Sequence, residues 1–246
     1  MLEIREVTKH YGARCALRKV SLAFPRGQIV GLFGENGAGK TTLMKCVLNF
    51  VPHQGQVLLD GEPVSHKNIT RISFATGEHS FFPGLTAAGH RDFYEAHFET
   101  FSPKRFDGLM KFFDLPLHRP VGRFSTGQKN QFEVILALSQ GADYILMDEP
   151  FSGNDLFNRE DFYKVLLGIL EPHETVILST HLIEEVSGFI GRAVLIKGGE
   201  VLADVTTDEL EERGTSLVEY VKTSYNYRPD RVSRALSQIT GEEDAP

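Results

Sequence analysis

With 246 residues, 41% of them hydrophobic and 24% charged, the chain has the balance of a globular protein able to bury a sizeable core as one large domain or a domain with a subdomain. A formal net charge of −7 argues against a dedicated nucleic-acid binder, which carries a basic field. Cys15 and Cys46 give neither a disulfide framework nor metal spacing and read as reduced core residues; no signal region opens the chain, no run reaches the ~18 apolar residues of a membrane span, and a cytosolic protein is expected.

Leu2, Ile4 and Val7 alternate with polar residues and open a half-exposed strand. After a turn at Tyr11-Gly12, residues 16–20 and 21–24 read as further strands, ended by Pro25-Arg26-Gly27. Their connections are too short for crossovers, so an antiparallel arrangement is expected. Residues 28–33 are an apolar run of strand formers, and Thr42 leads into a buried helix through residue 48. Between them, Gly34-Glu35-Asn36-Gly37-Ala38-Gly39-Lys40-Thr41 fits GxxxxGK followed by Ser or Thr. A strand entering a glycine loop that opens a helix is the context in which this pattern binds a nucleoside triphosphate. Glycines let backbone N–H groups converge on a phosphate at the positive end of the helix. Lys40 then reaches the β- and γ-phosphates, and the Thr41 hydroxyl is placed to ligate Mg²⁺.

Residues 55–60 and 71–75 read as strands, the first ending in the turn Asp60-Gly61. From Thr76 the pattern changes. A loop at residues 81–85 precedes a helix capped by Thr86 and reaching residue 98, then a helix from Ser102-Pro103 to 114, then one from Ser125 to 140. Residues 77–140 thus form a helical insertion flanked by strands. Phe81, Phe82, Phe93 and Phe98 punctuate it; most are expected in the core, with a subset near Phe81-Phe82 left to receive a partner helix.

The apolar strand 144–147 ends in Asp148-Glu149-Pro150, placing two acids at the carboxyl end of a strand, where open α/β sheets bind ligands. Asp148 is the expected second anchor for Mg²⁺, and Glu149 the group that orients or deprotonates the attacking water. Residues 161–170 read as a helix, 174–179 as a strand, and 182–186 as a helical turn. His181, in Ser179-Thr180-His181, follows the adjacent strand and is placed to touch a γ-phosphate oxygen. Ser125, Thr126, Gly127 and Gln128 at a helix start make a cap and equally an anion site, one that an insertion separates from the phosphate loop. Gly198-Gly199 marks a hairpin between 193–197 and 200–204. A short helix over 207–213, a strand over 216–222, an amphipathic helix over 228–239 and a disordered acidic tail over 241–246 complete the reading.

Taken jointly, the phosphate loop, Ser125-x-Gly127-Gln128, Asp148-Glu149-Pro150, Ser152-Gly153-Asn154-Asp155 and Ser179-Thr180-His181 resemble the ATP-binding subunits of ABC transporters over nearly all of residues 2–222. The stretch 180–186 is similar to the histidine region of bacterial exporter-type members. The resemblance implies an α/β fold: a P-loop NTPase core with a mainly parallel sheet, an N-terminal antiparallel β-subdomain and the inserted α-helical subdomain, within an ATPase domain over 1–222 and a C-terminal extension over 223–246. It implies Tyr11 stacked on adenine, ATP held by residues 34–42 of one chain and by Ser125–Gln128 of the other in a head-to-tail homodimer or heterodimer, and Asp155 at the facing loop. It further implies membrane-spanning subunits as separate partners on the inner face of the membrane, export, and no nucleic acid. A soluble ABC ATPase acting on nucleic acid or ribosomes is the rival, as is a nucleotide-gated module with little turnover. Three departures stand out. Phe124 and Thr126 replace the usual signature leucine and first glycine, Asn154 replaces a leucine, and Gly77 stands where relatives carry a Mg²⁺-touching glutamine. Glu78 beside it is an additional candidate metal ligand.

Overall fold

The computed structural model describes residues 1–150 and 156–226. Asp155, the helix expected over 228–239 and the tail lie outside the described residues. Among the described residues, ten strands form two sheets. β1 (Leu2–Tyr11), β2 (Arg14–Phe24), β4 (Gln54–Leu59) and β5 (Glu62–Pro63) make an antiparallel sheet in the order β2-β1-β4-β5. β3 (Ile29–Phe33), β6 (Ile72–Thr76), β7 (Tyr144–Asp148), β8 (Thr175–Ser179), β9 (Arg192–Lys197) and β10 (Glu200–Thr206) make the second, in the order β10-β9-β3-β8-β7-β6. All its pairings are parallel except the β9–β10 hairpin.

The helices are α1 (Lys40–Val47), α2 (Ala87–His97), α3 (Pro103–Phe112), α4 (Thr126–Ser139), α5 (Leu156–Ile169), α6 (Ile183–Val186), α7 (Thr207–Glu212) and α8 (Leu217–Ser224). The parallel strands are apolar on both faces, as strands buried on both sides must be. Val30, Leu32, Tyr144, Leu146, Ile177, Val194 and Ile196 pack with α1 and the antiparallel sheet. Their alternates Ile29, Phe33, Ile145, Met147, Val176, Leu178 and Leu195 pack with the insertion and the C-terminal helices. The insertion therefore shares its core with the sheet, chiefly through α4, which lies on β6 and β7.

Several expectations change. Residues 14–24 form one strand rather than two. Its ladder with β1 is bulged, with Glu6 and Lys19 at φ of 50° and 44°. There Ser21 Oγ accepts from the Glu6 N–H and Thr8 Oγ1 from the Lys19 N–H, so hydroxyls replace lost ladder bonds. Residues 216–222 are helical, not extended: Ser216 caps α8 by accepting from the Glu219 N–H at 3.2 Å, and Leu217 and Val221, four apart, are the buried pair. Cys46 is fully buried, whereas Cys15 is only half-buried on β2. Among the described residues no helix is long and apolar enough to cross a membrane.

Candidate functional site

β3 ends at Phe33, and the loop that follows carries the chain to α1 through two close approaches that exclude a side chain. A Cβ on Gly34 would lie 2.6 Å from the Ile196 carbonyl oxygen. One on Gly39, at φ 116°, would lie 2.8 Å from that of Ala16. The loop is further pinned by the β9–β10 turn, where the Gly199 N–H donates to Ala38 O at 2.9 Å. Gly39 is the N-cap of α1 and supplies no side-chain acceptor, and no acid occupies the first turn. The first N–H groups of α1 thus point into the cleft without a side-chain partner, which suits an anion. Lys40 is 7% exposed and donates to Gly34 O at 2.7 Å, holding its ammonium beneath the loop.

Two strands away, Asp148 ends β7. Its Oδ2 accepts from the Thr41 hydroxyl at 2.5 Å and its Oδ1 from the Ser179 hydroxyl at 2.5 Å. Thr41 and Asp148 are therefore joined across the cleft, although 107 residues apart in sequence. Glu149 adopts φ 47°, a region that non-glycine residues seldom enter and that concentrates at functional sites. Its N–H is held by Ser179 O at 3.0 Å. The resulting turn aims its carboxylate into the site, where Oε2 lies 2.9 Å from His181 Nδ1. The other oxygen, Oε1, is enclosed without a hydrogen-bond donor and faces Lys40 Nζ at 3.9 Å. An acceptor left open beside a cation and an imidazole is placed to take a proton from a small polar group.

Tyr11, Arg14, Glu35, Asn36, Gly37, Lys40, Thr41, Thr42, Asp148 and Glu149 line one cleft of about 410 Å³. Tyr11 is 47% exposed at its mouth, with Lys9 Nζ 4.6 Å from the ring centroid. Arg14, which no sequence pattern singles out, donates to Gly37 O at 3.3 Å and is the second cation of the cleft. Only its place across the β1–β2 turn from Tyr11 could have pointed to it. Ser179 is likewise added as the partner that fixes Asp148.

Ser125, Thr126, Gly127 and Gln128 are not among the cleft's lining residues. They form a closed capping box at the start of α4: Ser125 Oγ accepts from the Gln128 N–H at 3.2 Å, and Gln128 Oε1 from the Ser125 N–H at 3.0 Å. Glu78 is 69% exposed, and its carboxylate is bonded to Lys45 Nζ at 2.6 Å, on the same helix as Thr41. Past it, the buried carboxylate of Glu133 on α4 accepts from the Ser80 hydroxyl at 2.9 Å, the Phe81 N–H at 3.2 Å and the Ser80 N–H. Burial outweighs those bonds and pushes the Glu133 carboxyl up to about 6.

The sequence model of the family described as ABC transporter matches residues 17–152, from within β2 to just past Glu149. The chain belongs to the ABC transporter family. Over 214 residues it is 30% identical to the ABC transporter ATP-binding protein NatA of Bacillus subtilis (strain 168), covering 80% of this chain and 84% of that protein. The SkfA peptide export ATP-binding protein SkfE of the same organism is 26% identical over 220 residues, 87% of this chain and 92% of its own length. A solved dimeric ATP-binding cassette in a post-hydrolysis state, bound to ADP and Pi, superposes with a TM-score of 0.72 at 25% identity, over 84% of this chain and 98% of that one. This ABC subunit is thus an ATP-binding ATPase.

Proposed function

We propose that this ABC ATPase is the motor of an exporter, working on the cytoplasmic face of a membrane through separate membrane-spanning subunits. The observation that carries the reading is the open Oε1 of Glu149 between Lys40 and His181, opposite the Thr41–Asp148 pair. Glu149 accepts the proton of the attacking water, and His181 holds Glu149 in line and contacts the γ-phosphate. Lys40 and the N–H groups of the loop 34–42 bind the phosphates, while Tyr11 stacks on the base. The Thr41 hydroxyl and Asp148 fit Mg²⁺, which takes few protein ligands and completes its shell with phosphate and water. When bound, that ion neutralises charge building on the phosphates. Glu78 is held by Lys45, one turn along α1 from Thr41, and is a further candidate near the metal; the Mg²⁺ concentration for half-maximal ATPase in Glu78→Gln tests it.

Residues 1–222 act as one ATPase domain. The Ser125–Gln128 turn acts in trans on the nucleotide of a second cassette, with Asp155 at the facing loop. Export is supported by the similarity to SkfE, a peptide export ATP-binding protein. The docking face for the membrane-spanning partner is Phe82 and Leu85, 50% and 39% exposed, whereas Phe81 turns inward onto Phe132. Glu149→Gln tests the whole reading. ATP turnover should fall by roughly 10²–10⁴-fold, the usual worth of a general base. Gel filtration with ATP and Mg²⁺ should show this variant as a dimer, alone or mixed with a second ATPase subunit. Turnover at the wild-type rate would remove Glu149 from the mechanism.

A further inference from the structure

The nucleotide cleft is backed by a residue that belongs to none of its motifs and lies far outside residues 17–152. α8 runs under the parallel sheet against α6 and α7. Leu217 and Val221 sink into the shared core, and the helix ends one residue before Tyr225. The Tyr225 hydroxyl donates to Ile196 O at 2.8 Å and also lies 3.3 Å from Phe33 O. These two carbonyls sit where the β3–β9 ladder stops, its last paired residues being Phe33 and Leu195. Phe33 is the residue from which the phosphate loop departs.

Ile196 O is the same atom that leaves no room for a Cβ on Gly34. On the other side of that peptide, Gly34 O accepts from Lys40 Nζ. A continuous line of contact therefore leads from the Tyr225 hydroxyl through Ile196 O and Gly34 to the Lys40 ammonium. Lys197 Nζ stands 5.7 Å from the Tyr225 ring centroid and closes the ring's outer side. Burial, reinforced by the nearby Glu35 carboxylate, pushes the phenol up to about 12, so it stays a donor throughout the neutral range. α8 also abuts α6, the turn that follows His181. Tyr225, just past α8, thus backs the root of the phosphate loop, while α8 itself lies beside the turn that follows His181.

We propose that Tyr225 is a positioning residue of the nucleotide site: its hydroxyl clamps the ends of β3 and β9 together and so fixes the backbone of Gly34, against which Lys40 is set to meet the phosphates. The residue touches no nucleotide. It acts on affinity, because a loop that is already in its binding conformation loses less freedom when the phosphates arrive. The chemical step depends on Glu149 and is left in place.

The proposal rests on the phosphate-loop reading, and the experiment separates the two. ATP binding by calorimetry and steady-state ATPase are measured for the full chain and for Tyr225→Phe, Val221→Ala and Lys40→Ala. Tyr225→Phe removes one oxygen and keeps the ring. It should weaken ATP binding and raise KM together by about three- to tenfold, the net worth of one hydrogen bond, with kcat within about twofold. Val221→Ala loosens the seat of α8 while sparing the hydroxyl; it should lower the thermal midpoint and leave KM near wild type. Wild-type ATP affinity in Tyr225→Phe overturns the assignment, as does an equal rise of KM in Val221→Ala, which would reduce the effect to helix docking. A wild-type chain that binds ATP no better than Lys40→Ala would instead remove the phosphate-loop reading, and this inference with it.

Discussion

α1 and α4 both open on glycine- and hydroxyl-bearing turns, and their first turns are treated in opposite ways. α1 begins at Gly39 with no side chain capping it, and Lys40, Thr41 on Asp148 and Glu149 on His181 gather around its end. α4 begins at Ser125 with a closed capping box and stands away from the cleft. The first end is unsatisfied without a ligand, and the second is complete without one. A phosphate arriving at α4 must therefore compete with a cap worth about 1 kcal/mol, whereas one arriving at α1 displaces only water. That asymmetry fits an α1 end that binds nucleotide within one chain and an α4 end that engages only when a second chain presents nucleotide already held.

The contrast can be broken most forcefully at Lys40. Lys40→Ala removes the buried cation under the loop, and ATP affinity measured by calorimetry should drop by roughly 10- to 100-fold, as for a lost charge-assisted bond. An unchanged affinity would mean that α1 is not the primary phosphate site.

Glu133 tests how far α4 is satisfied by its own surroundings. Its folded-state carboxyl, held near 6 by burial, binds its proton more tightly than the unfolded chain's does at 4.5. The folded state thus takes up a proton first, and its share of stability is full below about pH 4.5 and is lost as pH rises through about 6. The loss is on the order of 2 kcal/mol. Denaturant titrations should show Glu133→Gln gaining stability relative to wild type across that window. Parallel pH curves for the two would dismiss the buried charge.

The smallest effect is expected at Ser125. Ser125→Ala removes the cap and should cost about 1 kcal/mol of stability by denaturant titration. ATP binding to a single chain should stay at the wild-type value, while turnover in the dimer falls. Loss of single-chain binding would erase the distinction between the two helix starts.

Much of this site could be read from the sequence because its chemistry sits in contiguous runs: the loop 34–41, Asp148-Glu149 and Ser179-Thr180-His181 each carry their residue types at fixed spacing. What could not be read is what the sheet brings together. Ser179 against Asp148, Arg14 against Gly37, Lys45 against Glu78 and Tyr225 behind Gly34 are contacts between distant segments, with no local pattern. The misassigned α8 had a local signal, Ser216-x-x-Glu219, the spacing of a helix cap. The apolar run Leu217-Val218 and Tyr220-Val221 masked it, since short apolar stretches suit strand and helix alike. The split of β2 failed for a different reason: a bulge interrupts side-chain alternation without ending the strand.

The position of β3 in the sheet has a consequence for synthesis on the ribosome. Its neighbours on both sides, β8 and β9, are made long after it: Val30 pairs with Ile177 on one side and Arg192 on the other. A nascent chain that has just completed Lys40 and Thr41 therefore holds the whole phosphate-loop sequence but neither of the strands that flank β3 in the sheet. Until β8 and β9 have emerged, β3 lacks its sheet neighbours on both edges, which exposes this early segment to faulty pairing during translation.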